Sequence, residues 1–289
     1  MKRIVLFFLF SISLSAQTKG VIVDENNQPI SNVNIWVENE NIGTTSEENG
    51  LFTLNTINDK TLIFSALGFE TQKIKAHDAE KVVMKVVIFK INEVVISKPK
   101  NTKEIEVGNS KDRFYLPESQ TVPWIFVKKI NLDPKNTEAK YVKNLIFHTK
   151  SEVENAVFRV RIFNLDKNDF PGEDLVSQEI IVKVKKGRHK TVVDMLSYKL
   201  LVPEQGIFFG FESLLTDGNK YRQEAVIFNT NKNIVIDNYA PHILYYRSKI
   251  ENSYTFRAGI WTKQRFSMYQ DTPKQNTVLA PAINVTLTN

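Results

Sequence analysis

The sequence predicts an all-β protein built from two β-sandwich domains. Three observations lead there. The patterned segments are short, rich in β-branched and aromatic residues, and closely punctuated by turn residues. No long stretch carries an apolar period of 3.6 residues, and alanine is scarce beside Phe, Ile, Val, Thr and Asn. A polar, basic segment with a proline, Ser97-Lys98-Pro99-Lys100-Asn101-Thr102-Lys103, separates two strand-rich stretches as a linker would.

The first stretch, 17–96, reads as strands at 21–23, 33–37, 51–54 and 61–64. Between them stand Asn26-Asn27-Gln28-Pro29, Glu48-Asn49-Gly50, Asn58-Asp59-Lys60 and Ala66-Leu67-Gly68, all turn chemistry. Pro29 fixes the chain's re-entry after the first turn. Gly43 and Gly50 are expected where tight turns need positive φ. Phe52, Phe69 and Trp36 are expected in the core.

A linker is expected over 97–112, and the second domain over 113–289. Strands are predicted at 145–147, 156–163, 179–184, 191–193, 206–211, 233–237, 253–261 and 283–287. In Phe158-Arg159-Val160-Arg161-Ile162-Phe163 the arginines alternate with apolar residues and so share one face. Residues 181–185 and 190–193 read as a hairpin closed by Lys186-Gly187-Arg188-His189. A helix or helical turn is expected around 122–129. The whole is expected to form a second sandwich of jelly-roll type.

The N-terminus has the anatomy of a secretory signal peptide over 1–16. Met1-Lys2-Arg3 is positive, 4–10 is apolar, and 11–16 is small and semi-polar. Cleavage is expected after Ala16, with cleavage after Ser15 as the alternative. The apolar run falls short of the roughly 20 residues that a spanning helix needs. The mature chain is therefore expected to be exported, periplasmic or associated with the outer membrane, without a transmembrane span.

The chain has no cysteine, which excludes disulfides, thiolate metal sites, cysteine nucleophiles and a lipid-accepting cysteine. Its 289 residues are 42% apolar, enough for two cores. Net charge is +6; losing Lys2 and Arg3 leaves 36 basic against 32 acidic residues, or +4. Such a mild bias does not point to nucleic acid as a partner.

The residues Gly20-Val21-Ile22-Val23-Asp24, Pro29-Ile30 and Val33-Asn34-Ile35-Trp36-Val37 are followed by Gly43-Thr44-Thr45-Ser46-Glu47. Next come Gly50-Leu51-Phe52-Thr53-Leu54 and Ser65-Ala66-Leu67-Gly68-Phe69-Glu70-Thr71-Gln72. In this order and spacing they resemble the carboxypeptidase regulatory-like domain, a transthyretin-like sandwich, over about 17–98. Ile91-Asn92-Glu93-Val94-Val95-Ile96 resembles the tail that closes this module at the front of Bacteroidetes TonB-dependent transporters. About 190 residues follow here, too few for a plug and a 22-stranded barrel, so the resemblance carries no transport function. The second domain resembles the sandwich half of exported Bacteroidetes proteins bearing the same module. That resemblance runs through 158–163, Pro171-Gly172-Glu173-Asp174-Leu175, residues 202–212 and Pro281-Ala282-Ile283.

Catalytic signatures are few. His77-Asp78-Ala79-Glu80 has the His-x-x-Glu spacing of a peptidase zinc site, but it lies in a polar loop with no α/β domain to complete it. His77, His148, His189 and His242 are scattered. Asp166-Lys167-Asn168-Asp169 with Glu173-Asp174 offers calcium-type oxygens, yet Pro171 stands where the loop would need glycine, and an acidic turn is the better account. There is no Gly-x-Ser-x-Gly, phosphate loop or dinucleotide fingerprint. Paired glycosidase carboxylates leave no sequence mark, and no pair stands out.

Lys183, Lys185, Lys186, Arg188, His189 and Lys190 concentrate charge on one expected hairpin. They read first as a solvated strand edge and second as an anion-binding surface. Tyr239, Tyr245, Tyr246, Tyr254, Trp261 and Tyr269 crowd the C-terminal part. Of these, Tyr245, Tyr246, Tyr254 and Trp261 are the candidate ligand-binding residues, with core packing as the default for most. No cofactor, metal or catalytic residue is expected. The expected function is that of a non-catalytic cell-envelope protein using its sandwiches for protein interaction or structural support. Capture of surface glycans by a carbohydrate-binding module is the alternative, and a hydrolase would need a pocket with converging acids.

Overall fold

The structure, a computed structural model, describes residues 17–57, 59–87, 102–108, 114–115, 121–132, 138–226, 233–265 and 277–289. The expected signal peptide 1–16, the segment 91–96, much of the linker 97–112 and Tyr269 lie outside the described residues.

The first domain contains β1 (Gln17–Val23), β2 (Asn34–Val37), β3 (Gly43–Thr45), β4 (Leu51–Asn55), β5 (Thr61–Ser65), β6 (Gln72–Lys75) and β7 (Lys81–Val83). One sheet has the order β4-β1-β7 and the other β3-β2-β5-β6. They enclose a core of Ile22, Ile35, Val37, Phe52, Leu54, Leu62, Phe64, Val82 and neighbours, with Phe69 packed at its margin. This is the expected sandwich. Gly50 takes positive φ in its turn. Gly43 does not: a Cβ there would lie 2.8 Å from the carbonyl oxygen of Ile35 and 2.7 Å from Pro123 of the second domain. Close packing, not turn geometry, requires this glycine.

The second domain begins inside the expected linker, with β8 (Glu104–Val107), and continues with β9 (Ile125–Ile130), β10 (Tyr141–Ser151) and β11 (Ala156–Leu165). Then come β12 (Pro171–Asp174), β13 (Ile180–Val184), β14 (Gly187–Asp194), β15 (Ile207–Ser213), β16 (Lys220–Val226) and β17 (Asn233–Tyr239). The last are β18 (His242–Ile243), β19 (Tyr245–Ser248), β20 (Ser253–Arg257), β21 (Ile260–Lys263), β22 (Val278–Pro281) and β23 (Ile283–Thr288).

One sheet runs β14-β10-β23-β8, with β18 beside β10; the facing sheet runs β12-β11-β15-β9-β20-β21, with β13 also on β11. Five and seven strands exceed the eight of a jelly roll, but the architecture is a sandwich. Phe126, Phe158, Val160, Ile162, Phe209 and Phe211 from the larger sheet meet Leu145, Phe147, Ile283, Val285 and Leu287 from the smaller.

Further sequence expectations are corrected. Most of the helix expected around 122–129 is strand β9, paired along its whole length with β15 and over 125–128 with β20. A run of apolar residues this short fits either conformation, and pairing on both edges decides it. The hairpin expected from 181–193 does not form. β13 pairs with β11 and β14 with β10, so its arms enter opposite sheets. The single strand expected over 253–261 is also corrected: Ala258 and Gly259 both take positive φ, and the chain turns back between β20 and β21.

β9 also places one cation inward. Lys128 is buried between the sheets, where Nζ donates to the carbonyls of Gly108 and Ile283 and lies 4.6 Å from the centre of the Tyr246 ring. Among the described residues no carboxylate pairs with it, and burial lowers its pKa from 10.5 to about 7. The folded state therefore disfavours the proton that the unfolded chain holds up to about pH 10.5. The resulting penalty is full below pH 7 and is relieved as pH rises from 7 towards 10.5. Lys128→Met should accordingly stabilise the protein more at pH 6 than at pH 10, as urea denaturation at the two pH values will measure.

Candidate functional site

The most concentrated polar chemistry lies where the domains meet. In β2 alternate residues serve two interiors: Ile35 and Val37 enter the first core, while Asn34 and Trp36 point the other way and are equally buried. In β11 and β15, Arg159, Arg161 and Glu212 likewise point away from the second core. The outer faces of the two sheets therefore meet.

Glu212 is the hub, 1% exposed. One carboxylate oxygen accepts from Arg159 and from Arg161, each at 3.0 Å; the other accepts from the Asn34 amide at 2.7 Å. Arg161 also forks onto Asp174 at 2.9 and 2.5 Å. Gly210 lies opposite Arg161 on β15, and a Cβ there would stand 3.2 Å from Cβ of Arg161. Arg159 donates Nε to Glu179 at 2.9 Å and Nη2 to the Asn32 carbonyl at 2.6 Å. The Asn34 side-chain oxygen accepts from the Thr45 hydroxyl at 2.7 Å, and Thr45 Oγ1 in turn accepts from the backbone N–H of Leu215 at 2.8 Å.

Apolar packing flanks this network. Trp36 meets Phe256 edge-on at 5.7 Å between ring centres and donates its indole N–H to the Pro123 carbonyl at 3.0 Å. Trp36 is thus buried as expected, but between the domains and not in the first core. The Arg257 Nε–H donates to the Asn41 side-chain oxygen at 2.6 Å on the same seam.

Burial would push the Glu212 carboxyl up, yet Arg161 and then Arg159 overcome it and hold the group below its ordinary value. The cluster is therefore a fixed set of charges, each committed to a neighbour. Glu212, held below its ordinary value, is not poised to take a proton near neutrality.

The sequence candidates are distributed differently. Tyr254 and Trp261 pack with Phe163 and Phe208 on the outer face of the larger sheet. Tyr246 belongs to a separate cluster with Leu244, Ala280 and Ala282, and Tyr245 packs against the main core. Tyr246 is 5% and Tyr254 2% exposed. The structure does not bring these four onto one surface. The sequence carried a signal for the site it passed over: two arginines alternating with apolar residues in β11 are too regular, and too deep in a strand-rich stretch, to be solvent-facing by default.

The histidines are equally dispersed. His77 lies in a 3₁₀ turn beside Asp78, His148 stacks on Phe114, and His189 contacts the Lys186 carbonyl. His242 is buried against the Tyr221 hydroxyl at 2.8 Å, and burial lowers its pKa to about 4. The acidic turn is closed by its own backbone, with the Asp166 carboxylate accepting from the N–H groups of Asn168 and Phe170. Among the described residues, no three His, Asp or Glu side chains are placed to hold a metal ion.

Removing one partner from a buried ionic cluster strands the others, at a cost of about 3–5 kcal/mol. Glu212→Gln should destabilise the protein by that order in guanidinium denaturation at pH 7. Because the folded pKa lies below the ordinary 4.5, the stabilisation by Glu212 is present above that value and is lost as pH falls below it. The gap between wild type and variant should therefore narrow by pH 3.

No helix among the described residues is long and apolar enough to cross a membrane. No curated protein matches the chain. Residues 18–96 match the family model of the CarboxypepD_reg-like domain, and the first sandwich, with its three- and four-stranded sheets, is a domain of that family.

Proposed function

We propose that this is a non-catalytic, exported cell-envelope protein whose two sandwiches act as one rigid unit for protein interaction or structural support. The supporting observation is the seam just described. It joins the domains face to face through Glu212, Arg159, Arg161, Asn34 and Trp36, where two-domain enzymes commonly open a cleft. Its charged groups satisfy one another, so they serve assembly rather than turnover.

With those faces covered, the unit offers a partner its strand edges and the two-stranded ribbon β16–β17. The ribbon β16–β17 pairs with no other strand among the described residues, and it exposes Ile234 and Val235. A two-stranded ribbon with apolar side chains in water is marginal alone and gains from a partner. The glycan-binding alternative would need aromatic faces open to solvent, and Tyr246 and Tyr254 are turned inward.

Two measurements on the full chain expressed in its own host test this reading. Intact-mass analysis of the envelope fraction should find a chain starting at Gln17, or at Ala16 by the alternative cleavage. A photo-crosslinking residue in place of Val235 should give a discrete adduct with an envelope protein. A chain that keeps residues 1–16 in the cytoplasm, or a Val235 position that yields no adduct, overturns the proposal.

A further inference from the structure

The basic run Lys183, Lys185, Lys186, Arg188 and Lys190 acquires its meaning from the hairpin that does not form. β13 joins β11 at the margin of the larger sheet, and β14 joins β10 as the end strand of the smaller. The two strands thus become the edges of opposite sheets on the same side of the sandwich. Lys183 stands on the outer face of the larger sheet, Arg188 and Lys190 on the outer face of the smaller, and Lys185 and Lys186 in the connection between them.

Register assigns the faces. Leu145 and Phe147 of β10 point into the core, and their partners on β14 are Val193 and Thr191. Arg188, Lys190 and Val192 therefore share the outer face of the smaller sheet, at successive alternate positions. Val192 is 55% exposed. None of the five cations has a carboxylate ion-pair partner among the described residues. Two acids stand near Lys186: Glu154 accepts from its backbone N–H, and Glu152, paired with Lys150, also feels its charge. The eight-residue strand β14 pairs on one side only, with β10, so the main-chain groups of its other side are unclaimed by any described strand.

We propose that the β14 edge docks an extended, acidic segment of a partner protein, which adds to the smaller sheet as its next strand. This rests on the reading of the chain as an interaction unit and names the surface and the partner chemistry. The free edge recognises backbone, which a polysaccharide lacks. Arg188 and Lys190 select carboxylates two residues apart on the incoming strand, and Val192 selects an apolar residue at the next alternate position. The same cations repel a second copy of this edge, so that self-pairing is disfavoured while an acidic strand is accepted.

The test uses the full mature chain and a fluorescein-labelled decapeptide with Glu at alternate positions, Thr between them and one Val in the Glu row. Its controls are the Lys-for-Glu peptide and an acidic peptide N-methylated at alternate backbone nitrogens, which keeps its charge but loses strand pairing. Anisotropy should show binding of the acidic peptide alone. The double variant Arg188→Glu/Lys190→Glu, with both changes on the exposed face, should weaken it by about tenfold or more.

Equal binding of the N-methylated peptide would reduce the site to a general polyanion surface and overturn strand addition. Absence of acidic-peptide binding at low salt overturns the site outright. So does sedimentation showing that the chain alone self-associates through this edge and that the double variant dissociates it. Any of these results leaves export and the Val235 adduct untouched, so failure here is distinct from failure of the broader reading.

Discussion

A single carboxylate, Glu212, organises the junction of the two domains. It lies in the interior between two guanidinium groups, and isolation of any one of these charges from water would be prohibitive. The second domain cannot complete this arrangement alone. The Asn34 amide that caps the other carboxylate oxygen, and the Asn32 carbonyl that takes an N–H of Arg159, both come from the first. The outer face of the larger sheet is thus finished only when the first sandwich is in place. Directional hydrogen bonds fix the register in which the two sheets meet, as apolar contact alone would not. We regard this as positional specificity more than net stability, since buried ion pairs gain little over well-packed apolar groups.

The neighbouring packing follows from that register. Gly43 lacks a side chain where Pro123 approaches. Trp36 reaches across to Phe256. Thr45 links Asn34 to the backbone at Leu215, just after β15. Each side chain is ordinary for a strand, yet each is placed to suit the opposite domain. The four sandwich sheets stack so that the two inner ones are covered on both faces around the seam. Chemistry directed outward is left to strand edges and to the β16–β17 ribbon, which is where the partner-facing features occur.

Much was legible in the sequence because strands have a period of two and leave a local mark. The alternation in 158–163 put both arginines on one face, and the structure keeps them there. The turn at Gly50 and the aromatic Phe52 behaved as their local chemistry implies. The failures were of another kind. Residues 122–129 were ambiguous between helix and strand until β15 and β20 paired with them. The segment 181–193 has the pattern of a hairpin, but nothing local states that its arms belong to different sheets. The tyrosines were visible as a composition, whereas their burial in separate clusters depends on the packing of distant strands.

The sequence by itself determined the all-β class, the sandwich nature of the first domain, the absence of any cysteine chemistry and the position of about half the strands. These follow from composition, turn residues and alternation, which act over a few neighbours in the chain. Tertiary structure alone decided which buried face meets which. Glu212 and Asn34 stand 178 residues apart, and no local rule relates them. Only the docking of two sheets turned an alternating pair of arginines into a clamp between domains, and only the parting of β13 from β14 turned a basic turn into an open edge. Partner choice in a sheet is a long-range property, and local pattern does not encode it.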